Sequence, residues 1–149
     1  MQSEHGFFWC GIALRGYAAA KGSSRRIKDI HKHFGFEPRV VTPLFEMIIN
    51  KDDAYLVLLD VINDGSKELS KSHLIQISSD CIEQAGNRLK RIPIKRIADW
   101  RASGGSLDVS ICVCPSVPFL RMSVPLDFLR LCAERDLPIE IYSGPYDCQ

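Results

Sequence analysis

A chain of 149 residues fits one domain, since domains run to roughly 100–200 residues. Folding at that size hides roughly 68–70% of the unfolded surface, enough for a core without disulfide staples. The 46% hydrophobic and 25% charged residues are those of an ordinary globular protein, and 19 Lys plus Arg against 18 Asp plus Glu leave a net charge of +1, so only local clustering of charge can argue for a nucleic-acid partner.

The start, Met1 to Gly6, is polar and lacks the basic opening of a secretory signal, and the apolar stretch after it is broken by Gly11, Arg15 and Gly16. No run of roughly 18 apolar residues occurs, so no membrane span and no membrane partner are expected. The expectation is a cytoplasmic protein.

Phe7 to Gly16 reads as the first strand. Ser23 and Ser24 offer an N-cap hydroxyl for a helix whose apolar stripe is Ile27, Ile30 and Phe34, with Gly35 at its C-terminal end. Phe36 to Pro43 is extended or turning, because a residue before proline avoids the helical region. Leu44–Asn50 and Ala54–Ile62 then read as two strands of a hairpin, turned by Lys51, Asp52 and Asp53. The continuous run Leu56 to Leu59 suggests that the second of these is a central strand, ended by Asn63 to Ser66. Leu74 to Ile77 fits either a short strand or the approach to a helix.

Ser79 or Asp80 can cap a helix, with Glu83 in the capping-box position after Asp80 and Ile82, Ala85 and Leu89 as its buried stripe. Pro93 suits the first turn of another helix, carrying Ile94, Ile97 and Trp100 inward and stopped by Gly104 and Gly105. Leu107, Val109, Ile111 and Val113 alternate with Asp108, Ser110, Cys112 and Cys114, the period of a half-buried strand. After Pro115 and Pro118, Ser123 caps a helix from about Pro125 to Arg135, with Leu126, Leu129, Cys132 and Ala133 inward. Pro138 precedes a last strand, Ile139 to Tyr142.

This layout predicts a single α+β domain over 1–149, with flexible ends at 1–5 and 145–149. Its sheet is mixed or mostly antiparallel with about five strands, and the helices pack mainly on one face. The segment from Ile27 to Val41 with Phe34-Gly35-Phe36-Glu37-Pro38, the strand Gly105 to Ser110, the helix start Met122 to Leu129 and the closing Leu137 to Tyr142 together resemble a bacterial family of small α+β domains of unknown function. The resemblance covers most of the chain in layout and implies the fold. It carries no catalytic residues to transfer.

Six cysteines, Cys10, Cys81, Cys112, Cys114, Cys132 and Cys148, read as thiols of a reducing compartment, three of them inside apolar patterns. His31 and His33 stand two apart on a helix, roughly 200° round, and cannot share one ion. Cys112 and Cys114 share a strand face without a second pair at zinc spacing. No metal or cofactor is expected. Cys114 is the best-placed candidate nucleophile, with His73 or His33 as a conceivable base. Phosphate-cradling and nucleophile-elbow motifs are missing.

Charge is segregated. Arg88, Lys90, Arg91, Lys95, Arg96 and Arg101 fall close together with Asp99 the only acid among them, and Lys21, Arg25, Arg26, Lys28 and Lys32 are opposed only by Asp29. Basic helical stripes match phosphates or an acidic protein face, unless they are simply solvated. The expectation is a non-enzymatic protein-interaction domain binding an acidic partner surface through the first of these clusters, in the manner of a bacterial inhibitor or immunity-type protein. A nucleic-acid-binding accessory protein and a small cysteine-dependent enzyme are the alternatives.

Overall fold

The computed structural model describes residues 5–18, 27–37, 40–48, 53–68, 71–102, 105–115 and 122–143. In chain order the elements are β1 (His5–Ala18), α1 (Ile27–Phe34), α2 (Pro43–Ile48), β2 (Ala54–Glu68), α3 (Lys71–Lys90), α4 (Ile94–Ala102), β3 (Gly105–Pro115), α5 (Leu126–Glu134) and β4 (Ile139–Ser143). The strands form one sheet of four in the order β2-β1-β3-β4. β1 is antiparallel to both neighbours, whereas β4 lies parallel to β3, with α5 as the crossover a parallel pair requires.

The expected fifth strand, Leu44–Asn50, is the helix α2 as far as Ile48. Thr42 sits where an N-cap belongs: its Oγ1 accepts from the Phe45 amide at 3.3 Å, while Pro43 enters the first turn with φ already set. Six residues make no stable helix alone, and α2 persists because Leu44 and Phe45 are buried. Of the expected turn, Lys51 and Asp52 fall outside the described residues, as do Ser23 and Ser24.

Period-two alternation sends the strands' side chains to two faces. Cys10, Ile12, Leu14, Leu56, Leu58, Val109, Ile111 and Val113 meet residues of α1, α3, α4 and α5 in the main core. Trp9, Ala13, Tyr55, Val57 and Cys112 meet Leu44 and Phe45 of α2 on the other face. Among the described residues β2 is an edge strand, contrary to the sequence reading. Its apolar run reflects cover on both faces, reinforced by a bulge: Ile12 pairs with Leu59 but Ala13 with Val57, so Leu58 and Leu59 both reach the main core. β2 also runs through Asn63 to Ser66 to Glu68, where pairing with β1 as far as His5 overrides turn propensity. Nor is β3 half-buried, since Asp108 and Ser110 are hidden with their apolar neighbours.

The helix boundaries and faces bring three more corrections. α3 starts at Lys71, so Leu74 to Ile77 is helical, and Ser79 and Asp80 lie inside the helix, where Gln76 Nε2 donates to Asp80 Oδ1 at 2.9 Å one turn on. Its stripe of Ile82, Ala85 and Leu89 is buried as expected. In α4 Ile97 and Trp100 are buried but Ile94 is 52% exposed. α5 starts from Pro125 with no side-chain cap, so Ser123 does not serve. That helix buries Phe128 and Cys132, while Leu126 (68%), Leu129 (40%) and Ala133 are turned outward.

Trp100 fixes the layers' separation. A Cβ added at Gly105 would sit 2.5 Å from its Nε1, and one at Gly16 would sit 2.8 Å from its Cζ2, so the indole lies directly on the backbones of β1 and β3. α1 and α5 end on a left-handed cap. Gly35 at φ 73° lets the Phe36 amide reach His31 O at 3.0 Å, and Asp136 at φ 54° lets Leu137 N reach Cys132 O at 2.9 Å.

Candidate functional site

The six basic residues singled out in the sequence divide into two kinds. Arg96 and Arg101 are joined to the backbone at helix ends. Arg96 NH1 donates to His33 O at 3.0 Å in the last turn of α1, and the His33 ring, through Nε2, returns to Arg96 O at 2.7 Å. Arg101 NH1 donates to Arg135 O at 2.9 Å and its NH2 to Asp136 O, satisfying carbonyls left over at the end of α5 and placing positive charge at the negative pole of that helix. These two cations hold elements together.

The other four face outward at the α3–α4 corner. Lys95 is exposed, and Lys90 borders a groove of about 280 Å³ between α3 and α5, lined also by Glu83, Asn87 and Asp127. Arg88 and Arg91 flank a separate groove of about 230 Å³ with Phe36, Glu37, Leu56 and Val57. Leu56 and Val57 point to opposite faces of β2, so a cavity lined by both must run along the outer edge of that strand. On an edge strand alternate residues aim their N–H and C=O groups away from the sheet. The groove thus combines an apolar floor, strand backbone and two guanidinium groups. Of the second basic cluster, Lys32 is exposed on α1; Lys21, Arg25, Arg26 and the side chain of Lys28 fall outside the described residues.

A polar group on the α2 side of the sheet escaped the sequence reading. Arg15 grips Asp108 with two bonds, Nε to Oδ1 at 3.2 Å and NH2 to Oδ2 at 3.0 Å. It also donates to Glu140, which accepts from the Tyr142 hydroxyl, and its guanidinium lies 5.7 Å from the Tyr142 ring centroid. Burial raises the Asp108 pKa above its ordinary value although the Arg15 charge pulls it down. The hydrogen bonds from Tyr142 and Arg15 hold Glu140 below its own. For Arg15, burial opposes the charge, but Glu140 and Asp108 outweigh it and the pKa is raised. β1, β3 and β4 bring these residues level: Arg15 is the register partner of Asp108, and Ser110 that of Glu140.

Cys10, Cys81, Cys112, Cys114 and Cys132 are unbridged; Cys148 falls outside the described residues. Burial pushes the Cys112 and Cys132 thiols up to about 11, and the hydrogen bond to Cys81 together with burial raises Cys10 well above the usual thiol value. Such thiols are poor nucleophiles at neutral pH. Cys114 packs with the α2 cluster, whereas His33 lies against Phe34 and Trp100, its ring centroid 5.3 Å from the indole. The sheet separates them, and the side chain of His73 falls outside the described residues. Among the described residues no group of three His, Cys, Asp or Glu could hold a metal ion, and no helix is long and apolar enough to cross a membrane.

The chain matches no protein-family model, and no curated protein or solved structure matches it either.

Proposed function

We propose that this chain is a non-enzymatic protein-interaction domain whose groove along β2 receives an acidic, extended segment of another protein. One observation carries this reading: two of the six basic residues expected to bind, Arg88 and Arg91, stand over the apolar floor made by Phe36, Leu56 and Val57 at a strand edge. Guanidinium groups bind carboxylates through paired hydrogen bonds and gain from partial desolvation. A neighbouring strand edge supplies backbone donors and acceptors, and alternate apolar side chains of the incoming segment find the floor. A small inhibitor or immunity-type protein acts in this way, by occupying a surface without chemistry.

The test is retention of a partner by immobilised protein. Wild type and Lys95→Glu should retain the same protein, and Arg88→Glu/Arg91→Glu should lose it while keeping its circular-dichroism spectrum. Equal retention by the double variant refutes the surface. Retention of single- or double-stranded DNA with a steep salt dependence would transfer the function to nucleic acid instead.

A further inference from the structure

The main core holds two reactive groups in contact, apart from the β2 groove. Cys10 of β1 and Cys81 of α3 belong to the same buried cluster, 0% and 3% exposed, and a hydrogen bond joins their thiols. They are distant in sequence and meet because α3 packs on β1. Cys10 stands between Val61 of β2 and Val113 of β3, and period two turns it toward the helices with Ile12 and Leu14. In α3 Cys81 heads the inward stripe of Ile82, Ala85 and Leu89.

The two sulfurs are not equivalent. The Cys10 S–H donates to the Cys81 sulfur, which together with burial raises Cys10 above the usual thiol value. The same bond lowers Cys81, against burial and the Asp80 carboxylate. Cys81 is also the nearer to solvent, since Asp80 beside it is exposed. The thiolate is the form that attacks an oxidant, so Cys81 is placed to react and Cys10 to follow. The remaining described thiols are placed differently. Cys112 and Cys114 share a face of β3 two residues apart, about 6.6 Å along a strand, where a disulfide holds its Cβ atoms about 3.5–4.5 Å apart. Cys132 stands beside Arg135.

We infer that Cys10 and Cys81 are a modification site for hydrogen peroxide, at which Cys81 is attacked by the oxidant and Cys10 closes a reversible disulfide between β1 and α3. Burial selects the oxidant: peroxide is small enough to enter through a slight opening of the core, and a glutathione-sized reagent is not. The Cys81 thiolate takes one peroxide oxygen; an S–O bond forms, the O–O bond breaks, and the departing hydroxide picks up a proton to become water. The Cys10 sulfur then attacks the Cys81 sulfenic acid. An S–S bond forms, the S–O bond breaks, and the Cys10 proton leaves with the hydroxide as a second water. Two thiols are oxidised and one peroxide is reduced.

Intact mass and non-reducing peptide mapping of the full chain after a few equivalents of peroxide test this. Wild type is expected to lose two hydrogens and to gain one link, between the tryptic peptide ending at Arg15 and that ending at Arg88, which dithiothreitol reverses. The oxidised form should keep its circular dichroism and unfold at higher urea, because the link constrains the unfolded chain. Cys10→Ser should stop at the Cys81 sulfenic acid, trapped by dimedone, and Cys81→Ser should leave Cys10 a thiol at the same dose. Both replace core residues, so the wild-type map decides if either fails to fold. A folded wild type that keeps Cys10 and Cys81 as thiols while other cysteines oxidise overturns the inference, as does a link between a different pair. The same link formed as readily in urea overturns it too, since the fold would then not be what joins them. The groove at β2 is read separately, by partner retention.

Discussion

The two faces of the sheet are both buried, but by different means. On the side of α1, α3, α4 and α5 the closure is apolar: branched side chains of three strands meet four helices, and Trp100 lies flat on Gly16 and Gly105. On the side of α2 it is held by polar anchors. Asp60 accepts from Trp9 Nε1 at 2.8 Å, from Thr42 N at 2.6 Å and from Thr42 Oγ1 at 2.9 Å, so one carboxylate ties β1, β2 and the start of α2. Further along the same face Arg15 bridges β1 to β3 and β4. The contrast follows from the covering element. Among the described side chains a six-residue helix contributes Leu44 and Phe45 to its cluster, and apolar area alone cannot fix it, whereas four helices bring a far larger apolar cluster, to which Arg96 and Arg101 add bonds to carbonyls at helix ends. The first face supplies stability, and the second supplies position.

That division can be broken at its strongest point. Trp100→Ala should remove about 3–5 kcal/mol, read as a fall in the urea midpoint with an unchanged slope. A loss below about 1 kcal/mol would mean that the helix-side core does not dominate. Next in size, Asp60→Ala strands the Trp9 indole N–H and the Thr42 amide and should cost about 1–3 kcal/mol. Its particular signature is loss of near-ultraviolet dichroism from Trp9, whose ring stands edge-on to Phe45 at 5.9 Å. Arg101→Ala should cost about 0.3–1 kcal/mol through the end of α5 while leaving partner retention intact, which would separate a capping cation from Arg88 and Arg91, the cations proposed to bind. The smallest effect belongs to Glu140. Because its pKa is lowered in the folded state, its contribution is complete above the ordinary value of 4.5 and is lost as pH falls through the folded value. The advantage of wild type over Glu140→Gln should therefore shrink on acidification below 4.5. Asp108, raised by burial, works in the opposite sense, its charged form costing stability as pH rises above 3.8.

What the sequence conveys depends on how local the cause is. β1, β3, β4, α1 and α4 are legible because punctuation and periodicity agree. α2 was legible too, in Thr42-Pro43, yet the apolar run Met47-Ile48-Ile49 favours a strand if the cap is not weighed. The face of α5 misleads for a physical reason: Leu126, Leu129 and Ala133 form as regular a stripe as Phe128, Leu131 and Cys132, and only the close approach to Gly86 decides which one turns inward. The candidate site divides in the same way. A run of cations is visible from composition, but that Arg96 and Arg101 cap helix ends 34 or more residues away is set by packing. The Arg15–Asp108 pair spans 93 positions and appears only once β1 and β3 are in register.

The position of β1 bears on how the chain is built. Its partner β2 follows early, but its other neighbour, β3, begins only at Gly105. Until that segment leaves the ribosome, an apolar strand such as Cys10 to Leu14 has one side unsatisfied. Nascent chains ending before residue 105 should therefore depend on chaperones and aggregate when released, and those that include β3 should be far less prone to do so.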